Sequence, residues 1–391
     1  MSNIAFIHIE YPCGGAEKVT AFVAHALQKQ GHTCHLLALR IAAPKLTETD
    51  QSLHIHTLEG NEIFDDQARA SIIRHLQDLA IDFVVISYIG IPFFREIHEK
   101  TQAQIVFTNH SMPFWEDHLL KASAQANAQK SPFKKLEWLL FRKWKYALPA
   151  LVRKKTLRVY RQIYAHVDAY ICLCEAYKQE VEKALHIAPS TSKVSAIYNP
   201  ITVPEHTVVR DKKNQVVFMG RLSRDDKRID RLLRIWQHVD HLTDWELCIY
   251  GEGPDEQPLR EQAKQLQLKH IHFKGFIKDT QKIYDQAAII CLTSAYEGWP
   301  LILLEAQTNG VIPIAMNCSK GVETIISQPG QNGFLIPAED EKRFAKELLK
   351  LMQASDSERS QWQEQAIQNA AQYAAPQIIQ QWEELFLRLS K

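Results

Sequence analysis

The stretch from residue 4 to residue 39, IAFIHIEYPCGGAEKVTAFVAHALQKQGHTCHLLAL, decides the fold of this chain. It opens with a short apolar run, Ile4–Ile9, which is typical of a strand buried on both faces. Two glycines end that run, and apolar residues at helical spacing follow them: Val19, Phe22, Val23, Ala26 and Leu27. Gly31 stops the helix before a second apolar run begins at Cys34. The stretch therefore predicts a βαβ unit, the building block of a parallel sheet.

The same rhythm continues along the chain and restarts once. Further strands are predicted at residues 83–87, 105–108 and 169–173, and then, after a polar, turn-rich boundary at 199–215, at 216–219, 245–250, 270–273, 288–292 and 311–315. The fold class we predict is α/β, with two Rossmann-like doubly wound lobes that face each other across a cleft. The predicted domains are 1–200 and 201–375, with an amphipathic helix at 376–391 that returns to the first lobe.

Composition narrows the class of protein. The 391 residues are 46% hydrophobic and 23% charged, which fits two globular domains. The formal net charge of +1 gives no global field that would favour nucleic acid as a partner. The seven cysteines form no CxxC pair, so we expect buried, reduced thiols. Because we find neither a signal-peptide pattern nor an apolar run of about 18 residues, we expect a cytoplasmic protein.

The strongest local signal is the run Tyr296-Glu-Gly-Trp-Pro-Leu-Ile-Leu-Leu-Glu305. Pro300 fits the first position of a helix. Eight residues at about 100° each bring Glu305 close to the direction of Glu297, so both carboxylates can face one ligand. The amides of Leu301 and Ile302 at the helix start form an anion site that needs no metal. The alternative is that the two acids are simply solvated.

Two further loops follow predicted strands. Arg221 and Lys227 lie in the loop GRLSRDDKR. The planar guanidinium of the arginine and the compact ammonium group of the lysine can bind the same diphosphate. Gly14-Gly15 can bring the backbone close to a ligand, but the pattern is not that of a nicotinamide-binding fingerprint. A solvated basic loop and a plain turn remain the alternatives.

Residues 131–165 carry ten Lys or Arg side chains against one acid. Leucine and aromatic side chains alternate with the charges at helical spacing. Such a helix lies on anionic bilayers, so we predict peripheral attachment to the inner face of the cytoplasmic membrane. The segment could equally receive an anionic acceptor, or pack on the first lobe as an ordinary solvated helix.

Together these elements resemble the retaining glycosyltransferases of family 4, which have the GT-B fold, of the kind that builds bacterial lipopolysaccharide or capsule. The resemblance covers nearly the whole chain and is strongest over residues 216–340. The matching elements are Glu297 with Glu305, the Gly220-Arg221…Lys227 element, the Asn332–Pro337 run, the Gly14–Glu17 loop and Asn199-Pro200. One departure is Trp299, where many relatives have a small or aliphatic residue, and it leaves the donor sugar open.

The resemblance implies a role for each candidate residue. A nucleotide-sugar, with UDP favoured over GDP, would be the donor. Its diphosphate would bind Arg221, Lys227, Gly15 and the amides of Leu301 and Ile302; its nucleoside would contact Glu305, Phe276 and Ile277; and its sugar would face Glu297 and His110.

The resemblance further implies transfer of a hexose or N-acetylhexosamine, with retention of configuration, to a lipid-linked, lipopolysaccharide or capsular saccharide. No cofactor or metal is expected, because the chain has no Asp-x-Asp motif. Two alternatives remain: another nucleotide-sugar enzyme of this fold, such as an epimerase, and a non-catalytic nucleotide-binding partner of a glycosylation complex.

Overall fold

The computed structural model divides the chain into two compact units, residues 1–200 with 375–391 and residues 201–374. The residues that the structure describes are 1–12, 14–46, 50, 52–87, 91–117, 131, 137, 140, 149–204, 208, 211–242 and 244–391. Most of the segment 131–148 lies outside this set, so the predicted basic helix is described only from Pro149 onward.

The first unit contains a seven-stranded parallel sheet in the order β3-β2-β1-β4-β5-β6-β7. The strands are β1 Asn3–Tyr11, β2 Thr33–Ile41, β3 His54–Thr57, β4 Phe83–Ile86, β5 Gln104–Asn109, β6 Ala169–Cys172 and β7 Val194–Ala196. Strand β4 is buried at every position, as expected of a parallel strand covered on both faces. The order reverses between β1 and β4, which defines a switch point at the carboxyl edge.

Helices cover the sheet of the first unit. They are α1 Gly15–Lys29, α2 Asp66–Asp78, α3 Ile91–Lys100, α4 Pro149–His166, α5 Glu175–Leu185 and, from the end of the chain, α13 Ala375–Leu389. Phe386 of α13 packs on Phe83 with ring centroids 4.6 Å apart. His32 lies 2.9 Å from Glu383. The chain terminus therefore belongs to the core of the first unit.

The second unit contains a six-stranded parallel sheet in the order β10-β9-β8-β11-β12-β13. Its strands are β8 Gln215–Met219, β9 Glu246–Tyr250, β10 Ile271–Gly275, β11 Ile289–Leu292, β12 Ile312–Asn317 and β13 Phe334–Pro337. Its helices are α6 Ile229–Gln237, α7 Glu256–Gln265, α8 Gln281–Gln286, α9 Leu301–Thr308, α10 Lys320–Ile325, α11 Glu341–Gln353 and α12 Asp356–Ala371. The switch point lies between β8 and β11, which pair in parallel.

The structure confirms two doubly wound parallel sheets, and it corrects the sequence prediction at three short elements. Strands β3 and β7 were not predicted. The Asn332–Pro337 run, which we read as a turn, contains the edge strand β13. In the described part of the chain, no helix has the length and apolarity needed to cross a membrane. Six cysteines are described; all are free thiols, and five of them are buried.

Candidate active site

Two loops leave the switch point of the second sheet side by side. Strands β8 and β11 are neighbours, with Val216 opposite Ile289. The loop after β8, residues 220–228, and the loop after β11, residues 293–300, therefore emerge together at the carboxyl edge. Ligands of doubly wound sheets bind at this place. Because the sequence analysis expects the donor diphosphate here, we refer to these two segments as the donor loops.

Hydrogen bonds join the two donor loops. The amide of Ala295 donates to the carbonyl of Asp226 at 2.7 Å. The hydroxyl of Thr293 lies 3.3 Å from the carbonyl oxygen of Lys227 and 3.2 Å from that of Arg228. The two loops therefore have a fixed position relative to each other, and a ligand that contacts one loop lies close to the other.

The backbone of the first donor loop packs directly against the turn after β9. A Cβ at Gly251 would overlap the carbonyl oxygen of Gly220, and both glycines have positive φ, +130° and +151°. The amide of Leu222 donates to the carbonyl of Glu252 at 2.9 Å. Only glycine allows this approach, and the approach fixes the backbone on both sides of Arg221.

The two predicted phosphate-binding cations each carry an acidic partner. Arg221 donates to Asp226 at 2.5 Å, and Lys227 donates to Glu297 at 2.8 Å. The Asp226 carboxylate raises the pKa of Arg221. The sequence predicted the two cations but not the carboxylate that each of them contacts.

Glu297 lies at the centre of the second donor loop. Its Oε1 accepts from Ser294 at 2.6 Å as well as from Lys227, and its side chain is 11% exposed. The structure thus brings the predicted residues Lys227 and Glu297 into direct contact across the two loops. The contact with Ser294 was not predicted, although this serine stands three residues before the glutamate.

Helix α9 starts one residue later than predicted. Pro300 is the residue before the helix rather than its first residue, and its carbonyl accepts the amide of Leu303 at 3.0 Å. Leu301 and Ile302 form the first turn, where backbone amides have no acceptor within the helix. These amides are therefore available to donate hydrogen bonds to an anion, which is the role that the sequence analysis predicts for them.

Glu305 lies on α9 with a partner of its own. The buried hydroxyl of Tyr284 donates to its Oε2 at 2.7 Å. Burial, reinforced by this carboxylate, raises the pKa of Tyr284 well above its usual value. Glu297 and Glu305 therefore contact different groups, and the tyrosine that orients Glu305 was not foreseen from the sequence.

Phe276 and Ile277 follow β10 at the edge of the same sheet. Their exposures are 69% and 36%. Gly275 has a φ of +71°, and its carbonyl accepts the amide of Gly251 at 2.8 Å. An exposed aromatic residue at this edge offers a surface on which a planar base can stack.

In the first unit, the glycine loop already contains an anion. Gly15 begins α1, and the carboxylate of Glu17 in the first turn lies 3.7 Å from His8. Burial raises the pKa of Glu17, but the interaction with His8 and hydrogen bonds from backbone amides lower it by a larger amount, so the net shift is downward. A Cβ added at Gly15 would meet nothing within 4 Å, so the surface there is open. This open surface lies in the same helical turn as the Glu17 carboxylate.

His110 follows β5 at the carboxyl edge of the first sheet. Burial, with a smaller contribution from His8, lowers its pKa to about 4. Its Nδ1 is buried and accepts or donates no hydrogen bond within the described residues. His110 is therefore a neutral imidazole at neutral pH, suited to bind a hydroxyl group rather than to act as a cationic acid.

Within the described ranges, no three His, Cys, Asp or Glu side chains are arranged to hold a metal ion. The cationic side chains of the first donor loop are Arg221, Arg224, Lys227 and Arg228, and the first amides of α9 follow the second donor loop. Positive groups at the switch point of a doubly wound sheet suit the binding of an anionic ligand such as a phosphate.

Comparisons with known proteins identify the class. The family model described as "Glycosyltransferase Family 4" matches residues 13–203, and the model described as "Glycosyl transferases group 1" matches residues 202–369. The chain is therefore a glycosyltransferase of the GT-B type, with a family 4 domain followed by a group 1 domain.

Three similar proteins illustrate the match. An uncharacterized glycosyltransferase of Haemophilus influenzae is 25% identical over 94% of this chain and 95% of its own length. A lipopolysaccharide 1,6-galactosyltransferase of Salmonella typhimurium is 27% identical over 44% of this chain and 48% of its own. The structure of Anabaena HepE in complex with UDP and glucose superimposes with a TM-score of 0.74 at 15% identity, covering 98% of this chain and 99% of that one.

Proposed function

We propose that this glycosyltransferase moves a hexose or N-acetylhexosamine from a UDP-sugar to a lipid-linked, lipopolysaccharide or capsular saccharide, with retention of anomeric configuration. One observation carries the proposal. Two cations, Arg221 and Lys227, lie with the partly buried Glu297 and the start of α9 on two hydrogen-bonded loops at the switch point. UDP in the HepE complex supports the choice of nucleotide. The name of the Salmonella relative supports a saccharide acceptor.

The first role we propose is stabilisation of the leaving group. Breaking the anomeric bond places negative charge on the diphosphate. Arg221, Lys227 and the amides of Leu301 and Ile302 meet that charge without rearrangement of solvent. Because Lys227 is already held by Glu297 at 2.8 Å, it is fixed before the donor binds.

The remaining roles follow the sugar and the nucleoside. Glu297 faces the transferred sugar and stabilises positive charge at the anomeric carbon, while Glu305, held by Tyr284, binds the ribose. Phe276 and Ile277 lie beside the base. From the family resemblance, Gly15 approaches the diphosphate and His110 the sugar. Retention is proposed through front-face attack assisted by the leaving phosphate, and no residue is assigned as general base.

The acceptor and the membrane form the second part of the proposal. On the described part of α4, the outward-facing Lys154, Lys155, Arg158 and Arg161 are exposed. Such a row of basic side chains is attracted to anionic lipids, which supports peripheral attachment of this helix to the inner face of the cytoplasmic membrane. Sedimentation with vesicles tests this: binding to anionic vesicles no better than to neutral ones contradicts it.

A panel of nucleotide-sugars tests the donor. A donor that binds the folded state raises the melting temperature according to its affinity, so one UDP-sugar should stand out. Product analysis with that donor alone separates an epimerase, which converts it, from a transferase, which needs an acceptor. Stabilisation by no member of the panel would contradict the proposed function, as would binding that survives loss of Arg221 and Lys227. Binding followed by turnover to an epimer would favour the epimerase.

A further inference from the structure

Asp226 is a buried acid between the two donor loops. It is 8% exposed, whereas its neighbour Asp225 is exposed. Its carboxylate accepts from Arg221 at 2.5 Å, and the nearby side chain of Ser223 helps to lower its pKa. The carbonyl of Asp226 accepts a hydrogen bond from the amide of Ala295 at 2.7 Å, and Ala295 lies in the loop that carries Glu297. One residue therefore contacts both halves of the proposed donor site.

The partner of this acid is mostly exposed. The Arg221 side chain is 64% exposed, although one of its nitrogens donates to Asp226. An arginine has five N–H donors in a rigid fork, so the bond to Asp226 leaves donors available for a second anion. A long exposed side chain otherwise loses rotamer freedom when it binds, and holding it beforehand reduces that loss.

The negative charge of Asp226 opposes the binding of a diphosphate, whereas its hold on Arg221 favours that binding. Burial raises the pKa of Asp226, but the side chains of Ser223 and Arg221 and the charges of Arg221 and Lys227 lower it by a larger amount. The group is therefore anionic at neutral pH. A carboxylate near a diphosphate repels it. The buried position favours the anchoring effect, because the carboxylate lies beneath the exposed guanidinium rather than in its place.

We propose that Asp226 is a positioning residue that holds the Arg221 guanidinium ready for the donor diphosphate. The proposal rests on the proposed function, since it assigns Arg221 to the diphosphate. It adds an acid to a site described so far by its cations, and it predicts that removing negative charge here weakens the binding of an anion.

The experiment measures the affinity of a nucleoside diphosphate by calorimetry. UDP, GDP and ADP are titrated into the full-length wild type, and the tightest of them is the probe. Asp226→Ala should bind the probe about tenfold more weakly, the scale of a lost charge-assisted hydrogen bond. Asp226→Asn keeps an oxygen acceptor for Arg221 and should recover part of the loss. Asp244→Asn removes the same charge from an exposed position before the start of β9, at the opposite edge of the sheet, and should bind like the wild type.

A double variant separates positioning from a general structural role. If Asp226 acts through Arg221, then Asp226→Asn should cause no further loss of affinity in an Arg221→Met background. An equal loss in both backgrounds, or tighter binding by Asp226→Ala, would overturn the proposal. Unfolding midpoints measured without ligand show whether each variant is folded, and Asp226→Asn serves as the test if Asp226→Ala is not.

The outcomes distinguish this inference from the function on which it rests. If Arg221→Met binds the probe as well as the wild type, or if no nucleoside diphosphate binds, the proposed donor site is wrong and this inference is wrong with it. If Arg221→Met weakens binding but both Asp226 variants do not, the donor site stands and only the role of Asp226 is wrong.

Discussion

The first donor loop and the glycine loop of the first unit occupy equivalent places and have opposite charge. Each follows the first strand of a sheet in which the strand order reverses beside that strand. One presents Arg221 and Lys227, whereas the other presents Glu17 with the buried His8. The comparison shows that the same topology can place loops of opposite charge at the carboxyl edge of a sheet, so fold alone does not determine the chemistry of the loop.

The largest effect we predict concerns the backbone of these loops. Gly251→Ala should destabilise the second unit by about 4 kcal/mol or more, because its Cβ would overlap the Gly220 carbonyl at a positive φ. Gly15→Ala is the matched control: a Cβ there meets nothing within 4 Å, so stability should change by less than about 1 kcal/mol. Urea unfolding of both variants measures the difference, and equal midpoints would remove the distinction.

The second prediction concerns acid stability and the first unit. Burial, with the charges of His56 and His54, lowers the pKa of His35 to about 4, below the roughly 6.5 of an unfolded histidine. Because the folded pKa is depressed, its stabilisation is present above pH 6.5 and is lost as the pH falls toward 4. The loss reaches about 3 kcal/mol for His35, and the lowered pKa of His56 acts in the same direction.

Unfolding measured from pH 7 to pH 4 checks this prediction. In the second unit, His270 and His272 lie 3.2 and 3.4 Å from Asp240 and Glu246 instead of beside other histidines. We therefore expect the first unit to lose stability first, and His35→Gln to flatten its pH dependence. A second unit that unfolds first at pH 5 would contradict this order.

The third prediction tests the charge of the donor loops. Lys227→Met removes a cation that we propose binds phosphate, and it leaves Glu297, 11% exposed, without its cationic partner. Turnover should fall about 100-fold, the scale seen when one group that stabilises developing negative charge is lost. The exposed Lys264 on α7 offers a control, since Lys264→Met should change turnover by less than about twofold. Unchanged turnover in Lys227→Met would remove this lysine from the site.

The smallest effect we predict is at Tyr284. Tyr284→Phe deletes the hydrogen bond to Glu305 and keeps the ring in the core. Donor affinity should fall by about fivefold, because a net hydrogen bond contributes about 1 kcal/mol. Comparing UDP with inorganic pyrophosphate sharpens the test: only UDP, which has a ribose, should bind less tightly. An equal loss for both would place Glu305 at the phosphates.

The sequence predicts the parts of the site that depend on strand order. Apolar runs such as Ile289–Leu292 are buried on both faces, and the residue after such a run lies at the carboxyl edge. This locates the donor loops and Glu297 without coordinates. Strand β3, with the sequence HIHT, has too few apolar residues for that signal.

Contacts between distant side chains could not be predicted in the same way. Tyr284 meets Glu305 across 21 residues, and Lys227 meets Glu297 across 70. These contacts depend on how the helices pack and which rotamers the side chains adopt, and a linear pattern records neither. The Asn332-Gly333 pair indicates a turn correctly, but the next four residues become a strand only because β12 lies beside them.

The approach of Gly251 to Gly220 has a consequence for engineering this enzyme. Main-chain contact, together with the buried side chain of Leu222, sets the position of Arg221. Apolar residues of the second unit that lie away from this loop could therefore be exchanged for others of equal volume with little change in the position of Arg221. Libraries aimed at a new donor would gain more from varying the exposed loop at Phe276 than from altering the two glycines.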